Sequence, residues 1–147
     1  MKPWIPALAL LLLAAPALAQ EPRSPVGTWK TIDDDTGQAK SKVRIWIDDS
    51  AVLHGKIVYL YPREGIPENP VCEKCEGDRK DRPVLGMEIF EDLRQDEDEW
   101  SGGTVLDPEN GKTYKCFLRI EDDGRLKLRG YVGAALFGRT QYWERLE

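Results

Sequence analysis

The sequence predicts an all-β fold, an eight-stranded antiparallel up-and-down barrel. Three observations point there. Apolar residues alternate with polar ones in short runs. Turns rich in Asp, Asn and Gly separate the runs. No stretch carries a 3.6-residue period. Period-two alternation gives each strand one wet and one buried face. Short links make sequential strands antiparallel neighbours, and closure removes the edge strands that an open meander would expose.

The strands are expected at about 25–31, 39–48, 52–61, 84–91, 99–106, 112–121, 125–132 and 139–146. The first carries Gly27-Thr28-Trp29. In the second, Val43, Ile45 and Ile47 oppose Lys42 and Arg44. In the third, Leu53, Ile57, Tyr59 and Tyr61 oppose His54 and Lys56. The fourth brings Leu85, Met87 and Ile89 inward and leads into a charged hairpin. The fifth turns Trp100, Thr104 and Leu106 inward. In the sixth, Tyr114, Cys116, Leu118 and Ile120 oppose Lys115 and Arg119. In the seventh, Leu126, Leu128 and Val132 oppose Lys127 and Arg129. The eighth carries Trp143. Asp107-Pro-Glu-Asn-Gly111 and Asp122-Asp-Gly124 are typical of the connections, since Asn-Gly and Asp-Gly accept the positive φ of tight hairpins.

The N-terminus reads as a leader rather than as part of the barrel. Lys2 precedes the apolar run Ala7–Ala15, and Ala17-Leu18-Ala19 is a small-x-small cleavage signal. Residues 1–19 are therefore expected to be a secretory signal peptide and 20–147 a single barrel domain, exported to the periplasm or fully secreted. The apolar run is too short and wrongly flanked for a membrane span. Of the 21 basic residues only Lys2 falls in the leader, so the mature part carries 20 against 26 acidic groups. That balance argues against nucleic acid and anionic lipid as partners, because both require a basic footprint.

One connection breaks the pattern. Residues 62–83 lack strand character and exceed the usual link in a compact domain. This stretch holds four prolines, Cys72 and Cys75, and a charged run. Half a zinc ribbon would need a second cysteine pair, and only Cys116 remains. A redox pair should open a helix, whereas here acidic neighbours raise the thiol pKa. A structural disulfide needs only an oxidising compartment. The pairings 72–75, 72–116 and 75–116 are all open.

Chemistry otherwise finds few anchors. The single histidine, His54, falls on an outward face, away from any nucleophile–base arrangement. No metal-ligand spacing, catalytic residue or cofactor motif is evident. Asp33–Asp35 reads as a solvated turn, without the alternation of a calcium loop. The aromatics are more informative. An eight-stranded barrel is just wide enough to be filled or to hold one small ligand. Tyr59, Tyr61, Met87, Trp100 and Tyr114 are the expected ligand-binding set, with glycines at 55, 102 and 130 leaving room and the long loop as lid or rim.

Gly27-Thr28-Trp29, with Arg145 near the end of the last strand, resembles the lipocalin signature. There the tryptophan closes one barrel end and an arginine from the far end of the chain packs across it. Asn69-Pro-Val-Cys-Glu-Lys-Cys75, Pro83-Val-Leu-Gly-Met87, Trp100-Ser-Gly-Gly103, Asp107-Pro-Glu-Asn-Gly-Lys-Thr-Tyr114 and Leu136-Phe-Gly-Arg-Thr140 follow in order. Together they resemble the bacterial exported family of domain of unknown function 2147. The resemblance implies a lipocalin-like barrel with Gly27, Trp29 and Arg145 as structural signature. It implies no particular activity. The expected function is sequestration or carriage of a small lipophilic or amphipathic molecule, without membrane insertion. An envelope interaction module with a packed barrel is the alternative, and a thiol-redox protein or enzyme ranks behind both. A protein partner stays open.

Overall fold

A computed structural model describes residues 1–3, 23–134, 136 and 138–147. The leader's apolar run and cleavage signal lie outside the described residues. Nine strands form one sheet: β1 (Gly27–Ile32), β2 (Ala39–Ile47), β3 (Val52–Leu60), β4 (Phe90–Glu91), β5 (Leu93–Asp96), β6 (Glu99–Asp107), β7 (Lys112–Ile120), β8 (Leu126–Tyr131) and β9 (Gly138–Arg145). All pairings between strands are antiparallel, β6 pairs with β7, and β9 returns to β1. The sheet is thus a closed barrel.

The expected strand at 84–91 is broken. β4 and β5 are two short pieces interrupted at Asp92, whose φ is +58°. Upstream, Gly86 sits at φ +89° and residues 86–89 bond irregularly to β3, through Gly86 N–H to Ile57 O and Ile89 N–H to Gly55 O. The pieces together occupy one position between β3 and β6, so the closed circuit still counts eight. Gly103 makes this crossing possible: a Cβ there would lie 2.0 Å from the Glu91 carbonyl oxygen.

One end of the barrel is plugged. Trp29 is 0% exposed, and its indole Nε1 donates to the Pro25 carbonyl at 2.8 Å. The Arg145 guanidinium lies 4.2 Å from the Trp29 ring centroid and donates to the carbonyls of Val26 and Ser24 at 2.9 and 2.6 Å. Gly27 admits the chain end, since a Cβ there would meet the Glu147 carbonyl oxygen at 2.3 Å. Above this plug Ile45, Leu53, Phe90, Leu93, Leu118 and Leu126 are fully buried. Gly55 is part of that packing, because the Phe90 ring fills the space where its Cβ would be, at 2.3 Å.

The 62–83 stretch is a stapled excursion. Cys72 and Cys75 form a disulfide, which leaves Cys116 as a buried free thiol. Cys72 N–H bonds to Arg82 O and Val84 N–H to Pro70 O, closing a small two-stranded neck. The excursion packs on the β6–β7 turn, where a Cβ on Gly111 would sit 2.0 Å from the Lys74 carbonyl oxygen.

Two outcomes are expected. Trp29→Ala should cost ~3–5 kcal/mol in denaturant unfolding, as large aromatic truncations in cores do, and Arg145→Ala about 1–2 kcal/mol from its lost ring contact and hydrogen bonds. A loss under about 1 kcal/mol for Trp29→Ala would show that the plug is not structural. Thiol counting should find one free cysteine per chain, unreactive until denaturation because burial pushes the Cys116 thiol up to about 12. Three free thiols in oxidised protein, or rapid native labelling, would contradict this.

Candidate functional site

Opposite the plug, the barrel is open and hollow. A cavity of about 400 Å³ lies among the mouth ends of β1, β2, β6, β7, β8 and β9. Its apolar lining includes Ile89, Val105, Leu128 and Trp143, and its polar lining includes Thr31, Lys40, Asn110, Tyr114, Arg139 and Gln141. Alternation explains most of these positions. Trp143, Gln141 and Arg139 pair with Leu126, Leu128 and Gly130, so both series point inward toward the mouth. Gly130 has the wall without a side chain, and an added Cβ there would meet nothing nearer than 3.6 Å.

The polar groups are organised. Thr31 and Ser41, buried opposite each other, share a hydroxyl hydrogen bond of 2.7 Å. Asn110 Nδ2 donates to the Tyr114 phenolic oxygen at 2.8 Å, and Trp143 Nε1 donates to Gln141 Oε1 at 3.2 Å. Around the rim, Arg63 bridges Asp33 of the β1–β2 turn and Glu109 of the β6–β7 turn at 3.2 and 2.6 Å. Lys40 joins Glu109 at 3.0 Å. Burial pushes the Glu109 carboxyl up, but hydrogen bonds from Arg63 and Lys40 outweigh it and hold the group below its ordinary range. Arg63 therefore ties the root of the long excursion to two turns at the mouth.

Of the five residues expected to bind ligand, Tyr114 lines the cavity. Tyr59 and Tyr61 stand at the correct barrel end but on the outside. β2 and β3 slip register between Lys42 and Val43: Val43 faces Ile57, while Lys42 faces Tyr59, leaving Val58 as the extra residue of a bulge. The slip turns Tyr59 outward, where it is 42% exposed and meets Tyr61 edge-on with the Lys42 ammonium 4.8 Å from its ring. Trp100 is buried opposite Leu118 in the plugged half. Met87 backs a shallow outer groove with Arg79, Arg82 and Leu85. A second bulge shifts β6: Trp100 pairs with Leu118, but Gly103 with Cys116 and Val105 with Tyr114. The shift puts Gly103 and Val105 opposite Cys116 and Tyr114, while Leu106 stays buried and also lines the cavity, and Gly102, at φ +80°, adjoins open space rather than the cavity. The excursion serves as a buttress behind the rim, since among the described residues none from 62–83 lines the cavity. Lys40, Asn110, Arg139 and Gln141 were missed because they are polar. Gln141 and Arg139 were findable from their period-two spacing with Trp143.

His54 lies outside the barrel, as its parity implies, yet it is held in place. It stacks on Trp46 with centroids 5.2 Å apart, its Nε2 is 2.7 Å from Asp48 Oδ2 and its Nδ1 3.5 Å from Glu88 Oε2. The hydrogen bond to Asp48 raises its pKa, against desolvation. A raised folded-state pKa stabilises the fold below the ordinary value of 6.5 and loses that contribution as pH rises through the folded pKa. An NMR titration should place His54 above 6.5, with Asp48→Asn moving it down; a wild-type value at or below 6.5 would contradict the pairing.

Comparison with other proteins agrees with this architecture. No curated protein matches the sequence. Protein HP1028 from the human pathogen Helicobacter pylori, which belongs to the lipocalin family, superposes with a TM-score of 0.71 at 17% identity, covering 84% of each chain. At that identity the likeness is one of fold. Residues 27–145 match the family described as an uncharacterized protein conserved in bacteria, domain of unknown function 2147. The match spans the barrel from Gly27 to Arg145, the two ends of its closing seam, and the chain belongs to that family.

Proposed function

We propose that the protein binds a small apolar or amphipathic molecule inside the mouth end of the barrel and sequesters or carries it outside the cytoplasm. The cavity carries this reading: about 400 Å³, an apolar wall, and a few convergent polar groups at its open end, the usual make-up of a small-molecule site. Export rests on the leader pattern Ala7–Ala19, with cleavage near Ala19, and on the Cys72–Cys75 disulfide, which suits an oxidising compartment. A periplasmic or secreted location follows from that reading. Thiol exchange fits poorly, because Cys72 and Cys75 are both buried away from an attacking thiolate.

One observation favours the interaction-module alternative. Tyr59, Tyr61 and Lys42 form an aromatic and cationic cluster on the outer wall, with Val58 exposed beside it. Surface tyrosines are common anchors at interfaces. A packed interior, however, would leave no cavity, and this barrel has one.

Fluorescence titration with the apolar dye N-phenyl-1-naphthylamine tests the proposal. Saturable one-to-one binding is expected. Gly130→Phe should weaken it at least about tenfold by filling the cavity, while Tyr59→Ala leaves it unchanged. Absence of binding, or binding insensitive to Gly130→Phe but abolished by Tyr59→Ala, would replace the carrier with the interaction module.

A further inference from the structure

The hydrogen-bonding inventory of the cavity is lopsided. Its acceptors are largely consumed by the protein. Thr31 Oγ1 accepts from Ser41 N–H at 3.1 Å, and Asn110 Oδ1 from Lys112 N–H at 2.8 Å. The Tyr114 oxygen is taken by Asn110 Nδ2, and Gln141 Oε1 by Trp143 Nε1. Asp107 Oδ1 accepts from Glu109 N–H at 2.9 Å, leaving that carboxylate one oxygen.

The donors are left over. No acceptor among the described residues takes the Tyr114 O–H. Arg139, whose side chain is 72% exposed, has one loose ion pair, Nη1 to Asp34 Oδ2 at 3.7 Å, and Gln141 Nε2 already serves that same Asp34 oxygen at 3.0 Å. Lys40 spends one ammonium hydrogen on Glu109. A site with spent acceptors and spare donors, two of them cationic, recognises an acceptor.

We infer, on the carrier reading above, that the ligand is an amphiphile with a carboxylate head held at the mouth by Tyr114 and Arg139, beside Lys40, its apolar body lying on Ile89, Leu128 and Trp143. The head carries a single charge. Asp107 lines the cavity and Asp34 and Glu109 stand behind its cations, so a dianionic phosphate would meet carboxylate repulsion. A cationic head would be opposed by the arginine and the lysine, with only the second oxygen of Asp107 left to receive it.

Competition against bound N-phenyl-1-naphthylamine at neutral pH tests the inference with four probes of one chain length: decanoate, decanol, decyl phosphate and decyltrimethylammonium. Decanoate should bind about tenfold tighter than decanol, the worth of one charge-assisted hydrogen bond in a part-solvated site, and its advantage should shrink with added salt. Decyl phosphate and decyltrimethylammonium should both bind more weakly than decanoate. Arg139→Gln and Tyr114→Phe should each lower the decanoate-to-decanol ratio roughly threefold to tenfold. Both substitutions leave the plugged core untouched, and the dye confirms a formed cavity in each. Equal affinity for decanoate and decanol, tighter binding of the phosphate or the cation, or a ratio that survives both substitutions would overturn the inference. With dye binding intact, those results leave the carrier reading standing; failure of the dye itself removes both.

Discussion

The barrel depends on the seam where its first and last strands meet. β1 and β9 share two paired positions, Trp29 with Arg145 and Lys30 with Glu144, and just past β9 Thr28 exchanges backbone hydrogen bonds with Leu146 and Glu147. So short a ladder is a weak way to close a sheet. Side chains reinforce it. Arg145 covers the Trp29 ring and takes up the carbonyls of Ser24 and Val26, which lie before β1 and have no strand partner there. Lys30 and Glu144 add an ion pair on the outer face. One guanidinium thus joins the two ends of the chain, caps the core and satisfies the entering backbone.

With one end sealed in this way, the other can remain open. Large side chains crowd the lower half, where Phe90 enters the space above Gly55 and reaches toward Trp143, with ring centroids 6.0 Å apart. Higher up, inward positions are taken by Gly130 and by shorter or polar groups such as Thr31 and Ser41, and the volume is not refilled. The mouth keeps its shape because its turns are braced from outside. Arg63 spans two of them, and the disulfide-stapled excursion rests on Gly111. Residues that never face the cavity hold it open.

The strand count, the antiparallel order and the Trp29–Arg145 contact were legible because each rests on local alternation or on a motif. The inward faces of β8 and β9 were legible too, since those two strands pair without a shift, whereas β1 and β2 slip between Thr31 and Ile32 and leave Lys40 as an extra residue. The candidate site was harder to read. Two β-bulges, at Val58 and at Gly102, shift the phase by one residue, and a shift of one exchanges the faces of a strand. Tyr59 and Tyr61 left the interior that way. Gly102 was visible as a glycine, and an inward glycine and a bulge glycine look alike in sequence. Trp100 failed for another reason: alternation assigns a face and says nothing of height along the barrel axis, and Trp100 begins its strand at the plugged end. Charge masks Arg139 and Lys40 in sequence, since a charged strand residue ordinarily marks solvent, whereas a barrel mouth is where charge and cavity meet.

The most direct measurement of the central claim is an intermolecular NOE map of the protein saturated with N-phenyl-1-naphthylamine. The account predicts contacts from dye protons to the Leu128 methyls, the Ile89 side chain and the Trp143 indole, and none to Tyr59 or Tyr61. Contacts confined to Tyr59, Tyr61 and Val58 on the outer wall would contradict it, and would show that the barrel binds with its surface and not with its interior.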